Sequence, residues 1–88
     1  MIKELTLTES SIGTAGESTL MLYNDDYNTF SWVVKSLVDV CQHSEIQADQ
    51  CAHIAHFRGK CAVLSGSKKD LLPKRTSLTD RGISAEIV

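Results

Sequence analysis

The chain has 88 residues, 42% of them apolar, with nine basic against eleven acidic residues and a formal charge of −2. A chain of this length suits one domain that buries about 60 to 65% of its unfolded surface. The near-balanced charge and sparse aromatics exclude the electrostatic footprint of a nucleic-acid binder, and no apolar run approaches the roughly 18 residues of a membrane span.

Met1 to Leu7 carries no basic start followed by an apolar stretch, so no signal peptide is read there and a soluble, cytoplasmic protein is expected. Residues 6–17, TLTESSIGTAGE, are rich in Ser, Thr, Gly and Glu without a sustained period. They read as a flexible N-terminal extension covering 1–18, with the domain at 19–88. Thr19 to Tyr23 is a short apolar run that predicts a strand ending at the polar triplet Asn24, Asp25 and Asp26.

Beyond the triplet, Phe30, Val33, Val34, Leu37, Val40 and Cys41 recur at the spacing of an amphipathic helix, with Asn28 placed to cap it. Trp32 and Val38 fall off that stripe, which leaves a large side chain near the surface. Ser44 followed by Gln47 makes a capping box for a second helix. That helix is expected to end near Phe57, with Gly59 in the left-handed C-terminal position.

KCAVL at 60–64 predicts a second strand and SGS at 65–67 a turn, with Ser67 free to cap a third helix. Leu71, Arg75 and Leu78 share one face of that helix, provided that Pro73 falls in about its first turn. Gly82 closes it, and Ile83, Ala85 and Ile87 alternate with Ser84, Glu86 and Val88 as a final half-buried strand. The order strand, helix, helix, strand, helix, strand implies a two-layer α+β domain, with helices packed on one face of a three-stranded antiparallel sheet.

Three groups of residues could carry chemistry. Two carboxylates before a helix ordinarily act as caps, but Asn28 already fills that position. The triplet is then left as a fixed cluster of acceptors suited to a cation. His56 has Ala52 and Ala55 beside it on the second helix, and small neighbours around an imidazole leave a concavity of the kind that holds a ligand. Cys41, Cys51 and Cys61 with His43, His53 and His56 lack the paired spacing of zinc ligands, so buried free thiols and surface imidazoles are expected, with no metal and no cofactor. No nucleophile and base, paired acids or phosphate-cradling glycine loop point to catalysis, so no enzymatic activity is expected.

NDDYNTF, the helix carrying VVKSLV, and AHIAHFRGK together closely resemble the Clp protease adaptor family, ClpS. The resemblance covers residues 20–64 and extends to the last strand. It implies an adaptor that recognises the N-terminal residue of destabilised proteins, the N-degron, and delivers them to an AAA+ Clp unfoldase of the ClpA or ClpC type. On that likeness the substrate α-amino group is held by Asn24, Asp26 and His56, with Asp25 adding negative potential. The first side chain would enter a pocket at Asn28, Phe30, Val33, Ala52, Ala55 and Ile83.

The chain departs from the family at Phe30 and Ala52, where methionine is common, which bears on side-chain preference. Five basic residues fall between 68 and 81, namely Lys68, Lys69, Lys74, Arg75 and Arg81. The resemblance places unfoldase docking at Lys69 and Lys74. Two alternatives remain: a Clp-docking module that does not read N-termini, and a small zinc protein using Cys41, His43, Cys51 and His56.

Overall fold

A computed structural model describes residues 17–88, in the order β1 (Glu17–Tyr23), α1 (Phe30–Cys41), α2 (Glu45–Arg58), β2 (Lys60–Ser67), α3 (Lys68–Asp80) and β3 (Ala85–Ile87). The expected extension lies outside the described residues except for Glu17 and Ser18, which belong to β1. The three strands form one antiparallel sheet in the order β2-β1-β3.

Alternation along β1 sends Leu20 and Leu22 into the core, where they meet Leu37 and Cys41 of α1, Ala48, Cys51 and Ala55 of α2, and Leu71 and Leu78 of α3. Val63 of β2, Ile83 and Ala85 complete this cluster, while Ser84, Glu86 and Val88 stay exposed, which is the predicted alternation of a half-buried strand. Backbone hydrogen bonds from Tyr23 to Ser84 and between Thr19 and Val88 extend the pairing past both ends of β3.

β2 is longer than its sequence suggested. Ser65, Gly66 and Ser67 do not turn but pair with Thr19, Ser18 and Glu17, because β1 starts early enough to offer them a ladder. The register slips between Leu20, opposite Leu64, and Met21, opposite Ala62, leaving Val63 as the extra residue of a bulge. The Val63 carbonyl is met by His43 Nε2 at 3.0 Å, so that nitrogen carries the proton and donates. His43 is therefore buried at 5% exposure, not a surface imidazole as expected.

The helix ends show how local chemistry fixes the frame. Ser44 Oγ accepts from Gln47 N–H and Ser67 Oγ accepts from Asp70 N–H, each satisfying an otherwise unpaired donor of a first turn. The cap of α1 is Thr29, whose Oγ1 accepts from Trp32 N–H at 3.1 Å. Asn28, the expected cap, is used elsewhere. At the other end of α1, Gln42 takes a left-handed φ of 56° and no basic residue sits in the last turn.

The missing cation comes from α3: Lys74 Nζ donates to the Val40 carbonyl at 3.1 Å and to Gln42 Oε1 at 3.2 Å. Positive charge at that helix end is favourable. Pro73 is the sixth residue of α3 and not in its first turn, yet the helix runs through it. Both Pro73 and Lys69 are exposed, so the carbonyl that loses its amide partner is left to water.

Trp32, expected near the surface, is 36% exposed and donates its Nε1–H to the Arg81 carbonyl at 3.0 Å. The Arg81 guanidinium lies over the indole, 5.4 Å from its centre, and its Nη1 reaches the buried Ser36 hydroxyl at 3.4 Å. This arrangement pins α1 to the end of α3. No described helix is long and apolar enough to cross a membrane.

Candidate functional site

A cavity of about 450 Å³ opens between the β1–α1 loop, the first turn of α1 and the C-terminal half of α2. Its polar end is the loop. Asn24 N–H donates to the Gly59 carbonyl at 2.9 Å, which ties the start of the loop to the end of α2, and Gly59 holds a φ of 94° that favours glycine.

Asp25 then folds the loop on itself. Its Oδ1 accepts from the backbone N–H of Tyr27 at 2.9 Å and of Asn28 at 2.8 Å, and its Oδ2 accepts from Asn28 Nδ2 at 3.0 Å. Asn28 Nδ2 also donates to the Gly82 carbonyl at 2.8 Å, anchoring the loop to the turn after α3. Partial burial works against the Asp25 charge, but the donors on Asn28 and Tyr27 outweigh it and hold the carboxyl below its ordinary pKa.

The triplet thus divides its labour. Asp25 shapes the loop, while Asn24 and Asp26, both exposed on the cavity lining, form no side-chain hydrogen bond within the described residues. His56, also exposed, lines the same cavity from α2, with its ring edge-on to Phe57 at 5.1 Å between centres.

The apolar end is built by Val33, Ala52, Ala55 and Leu22. Ala52 and Ala55 are buried at 4% and 3% exposure and stand with Ala48 and Cys51 on a face of small side chains, so α2 packs closely on the core while its outer half leaves a hollow. Phe30, the first residue of α1, reaches across the mouth to His53 on α2, ring centres 4.5 Å apart and edge-on. His53 stacks in turn near Phe57 at 6.2 Å, and Phe57 is 78% exposed on the cavity lining.

A concave site with apolar walls and convergent acceptors at one end can hold an amphiphilic ligand that carries a cation beside an apolar group. Among the described residues no group of three or more His, Cys, Asp or Glu side chains is placed to hold a metal ion, so the four residues of the zinc alternative are not gathered.

A family model for the ATP-dependent Clp protease adaptor protein ClpS matches residues 16–86. The chain belongs to the ClpS family. It is also similar in structure to Agrobacterium tumefaciens ClpS2, solved bound to L-phenylalaninamide, with a TM-score of 0.77 and 24% identity over 85% of this chain and 100% of that one. That likeness shows the fold, an α+β sheet with three helices. No curated protein matches the chain.

For this ClpS chain, ten of the sequence-selected residues have these positions. Asn24, Asp25, Asp26, Asn28, Phe30, Val33, Ala52, Ala55 and His56 all line the one cavity. Ile83 does not: at 2% exposure it lies in the core and is not among the cavity walls. Leu22, Tyr23, His53 and Phe57 line the cavity without having been assigned to it from the sequence. His53 and Phe57 carried a usable signal, since they flank His56 by three residues and one on the same helix.

Of the two docking residues, Lys69 is exposed and Lys74 is half-buried against α1, its ammonium already engaged by Val40 and Gln42. Lys74 also borders a shallow polar groove between α1 and α3 with Asp39, Ser77, Asp80 and Arg81.

Proposed function

We propose that this ClpS chain is an adaptor that grips the first residue of an N-degron protein and delivers it to an AAA+ Clp unfoldase of the ClpA or ClpC type. The observation that carries this reading is the single cavity in which Asn24, Asp26 and His56 face the apolar walls Val33, Ala52 and Ala55. A free N-terminal residue has the matching form, a three-donor ammonium next to a side chain. The ligand named for the Agrobacterium structure, L-phenylalaninamide, has this chemistry too.

In this reading Asn24 Oδ1, the Asp26 carboxylate and a neutral His56 nitrogen accept from the ammonium, with Asp25 holding the loop in shape and adding negative potential. Each hydrogen bond to the charged amine contributes about 1.5 to 3 kcal/mol, and burial of a large apolar first side chain about 1.5 to 3 more. Micromolar affinity, about −8 kcal/mol, is within reach of one residue's contacts after ordering costs.

Phe30 narrows the mouth, while Ala52 deepens the floor relative to the methionines common in the family. That combination favours flat aromatic first residues, Phe, Tyr and Trp, over branched aliphatic ones. Lys69 supplies exposed charge for docking on the unfoldase, and Lys74 orders the α1–α3 junction beside it. The cytoplasm is the compartment that suits this delivery.

The test is a titration with fluorescent peptides that begin with Phe, Leu, Trp or Ile and with their N-acetylated forms. Binding of the free forms alone is expected. Equal binding of acetylated and free peptides contradicts amine recognition, and no binding to any of them favours the docking module that does not read N-termini.

A further inference from the structure

The sulfurs of Cys51 and Cys61 lie 2.9 Å apart, and both thiols are free. A disulfide bond is about 2.05 Å long, so roughly 1 Å of approach separates this pair from bonding. Their exposure is unequal. Cys51 faces the core from α2 at 5% exposure, whereas Cys61, the second residue of β2, is half-buried. One thiol is thus within reach of a small oxidant, and the other is within reach only of its neighbour's sulfur.

We propose that Cys51 and Cys61 form a reversible thiol–disulfide pair, oxidised by a low-molecular-weight disulfide such as glutathione disulfide. Cys61, as the thiolate, attacks one sulfur of the oxidant, expels one glutathione thiolate and becomes a mixed disulfide. Cys51, as the thiolate, then attacks the Cys61 sulfur, forms the internal bond and expels the second glutathione thiolate. Two protein thiols lose two electrons and two protons, and one glutathione disulfide becomes two glutathione thiols.

The titratable groups acting on Cys51 are Cys61 on β2 and Cys41 at the end of α1. Burial, followed by the hydrogen bond to Cys61, raises the Cys51 pKa above the ordinary thiol value. A buried thiol yields its thiolate less readily, so closure of the bond quickens as pH rises. The bond would tie α2 to β2 beside two residues of the cavity lining: Cys51 precedes Ala52, and Cys61 is the ladder partner of Leu22.

The test treats the full chain with glutathione disulfide at mildly alkaline pH, alkylates the remaining thiols and maps the peptides by mass. Expected are a peptide pair linked through Cys51 and Cys61, alkylation at Cys41 alone, and reversal by dithiothreitol. Cys41→Ser keeps the link, and Cys61→Ser abolishes it. Separate glutathione adducts on Cys51 and Cys61, a link that includes Cys41, or full alkylation of all three overturns the proposal.

Discussion

Replacing His56 with alanine tests the amine grip at the one acceptor that comes from α2 instead of the loop. His56 is exposed and makes no core contact, so folding is spared and the change reads on binding alone. Losing one hydrogen bond to a charged amine is worth about 1.5 to 3 kcal/mol, or about a 10- to 150-fold weaker Kd at 1.4 kcal/mol per tenfold. The assay is fluorescence anisotropy with a peptide beginning with Phe, run in parallel with its N-acetylated form. Acetylation removes the cation, so the two changes form a cycle: His56→Ala weakens the free peptide and leaves the residual binding of the acetylated one unchanged. A loss below about twofold for the free peptide, or an equal loss for both, would refute the assignment of His56 to the amine.

Acid tolerance reads on Asp25. Its folded-state pKa lies below the ordinary value of 3.8, so it contributes stability that is present above 3.8 and lost as pH falls through the lower folded value. Asp25→Asn is expected to flatten that acid limb of Tm against pH, and an unchanged limb would count against the loop's hydrogen bonds. Gly59→Ala introduces a Cβ that meets no atom within 4 Å, so its cost is the left-handed backbone alone, about 1 to 2 kcal/mol by urea unfolding. Ser67→Ala removes the α3 cap and is expected to cost about 0.5 to 2 kcal/mol in the same assay, with no change in peptide affinity. Leu37→Ala, at a fully buried position, is expected to cost about 2 to 5 kcal/mol.

Where structure follows from short-range chemistry, it was legible in the chain. The α1 stripe, the serine caps of α2 and α3, the Gly59 terminus and the alternation from Ile83 to Val88 all depend on neighbours within a turn or a strand. The departures come from distant partners. Thr29 caps α1 because Asn28 is drawn to Gly82, 54 residues away. SGS reads as a turn in isolation, yet Glu17 to Thr19 lie opposite it and extend the strand. His43 is buried because a bulge turns the Val63 carbonyl toward it, and a register slip leaves no mark in composition.

The site shows the same division. The acceptor triplet and His56 stood out by residue type, and small side chains at Ala52 and Ala55 signalled a hollow. The alternation that placed Ile83 inside could not tell whether the hollow reached it, and Ile83 lies in the core outside the cavity walls. Lys74 stood out as one positive charge among five and through the family resemblance, whereas its contact with α1 depends on the packing of two helices.

The hydrogen bond from Asn24 to Gly59 joins the loop to the helix that bears His56, through main-chain atoms alone. Phe30 and Ala52, by contrast, line the cavity and take no part in that main-chain bond. Diversification can therefore rewrite those two letters freely while the backbone splice beneath them stays fixed, and a laboratory library confined to positions 30 and 52 would sample new preferences on an unchanged chassis.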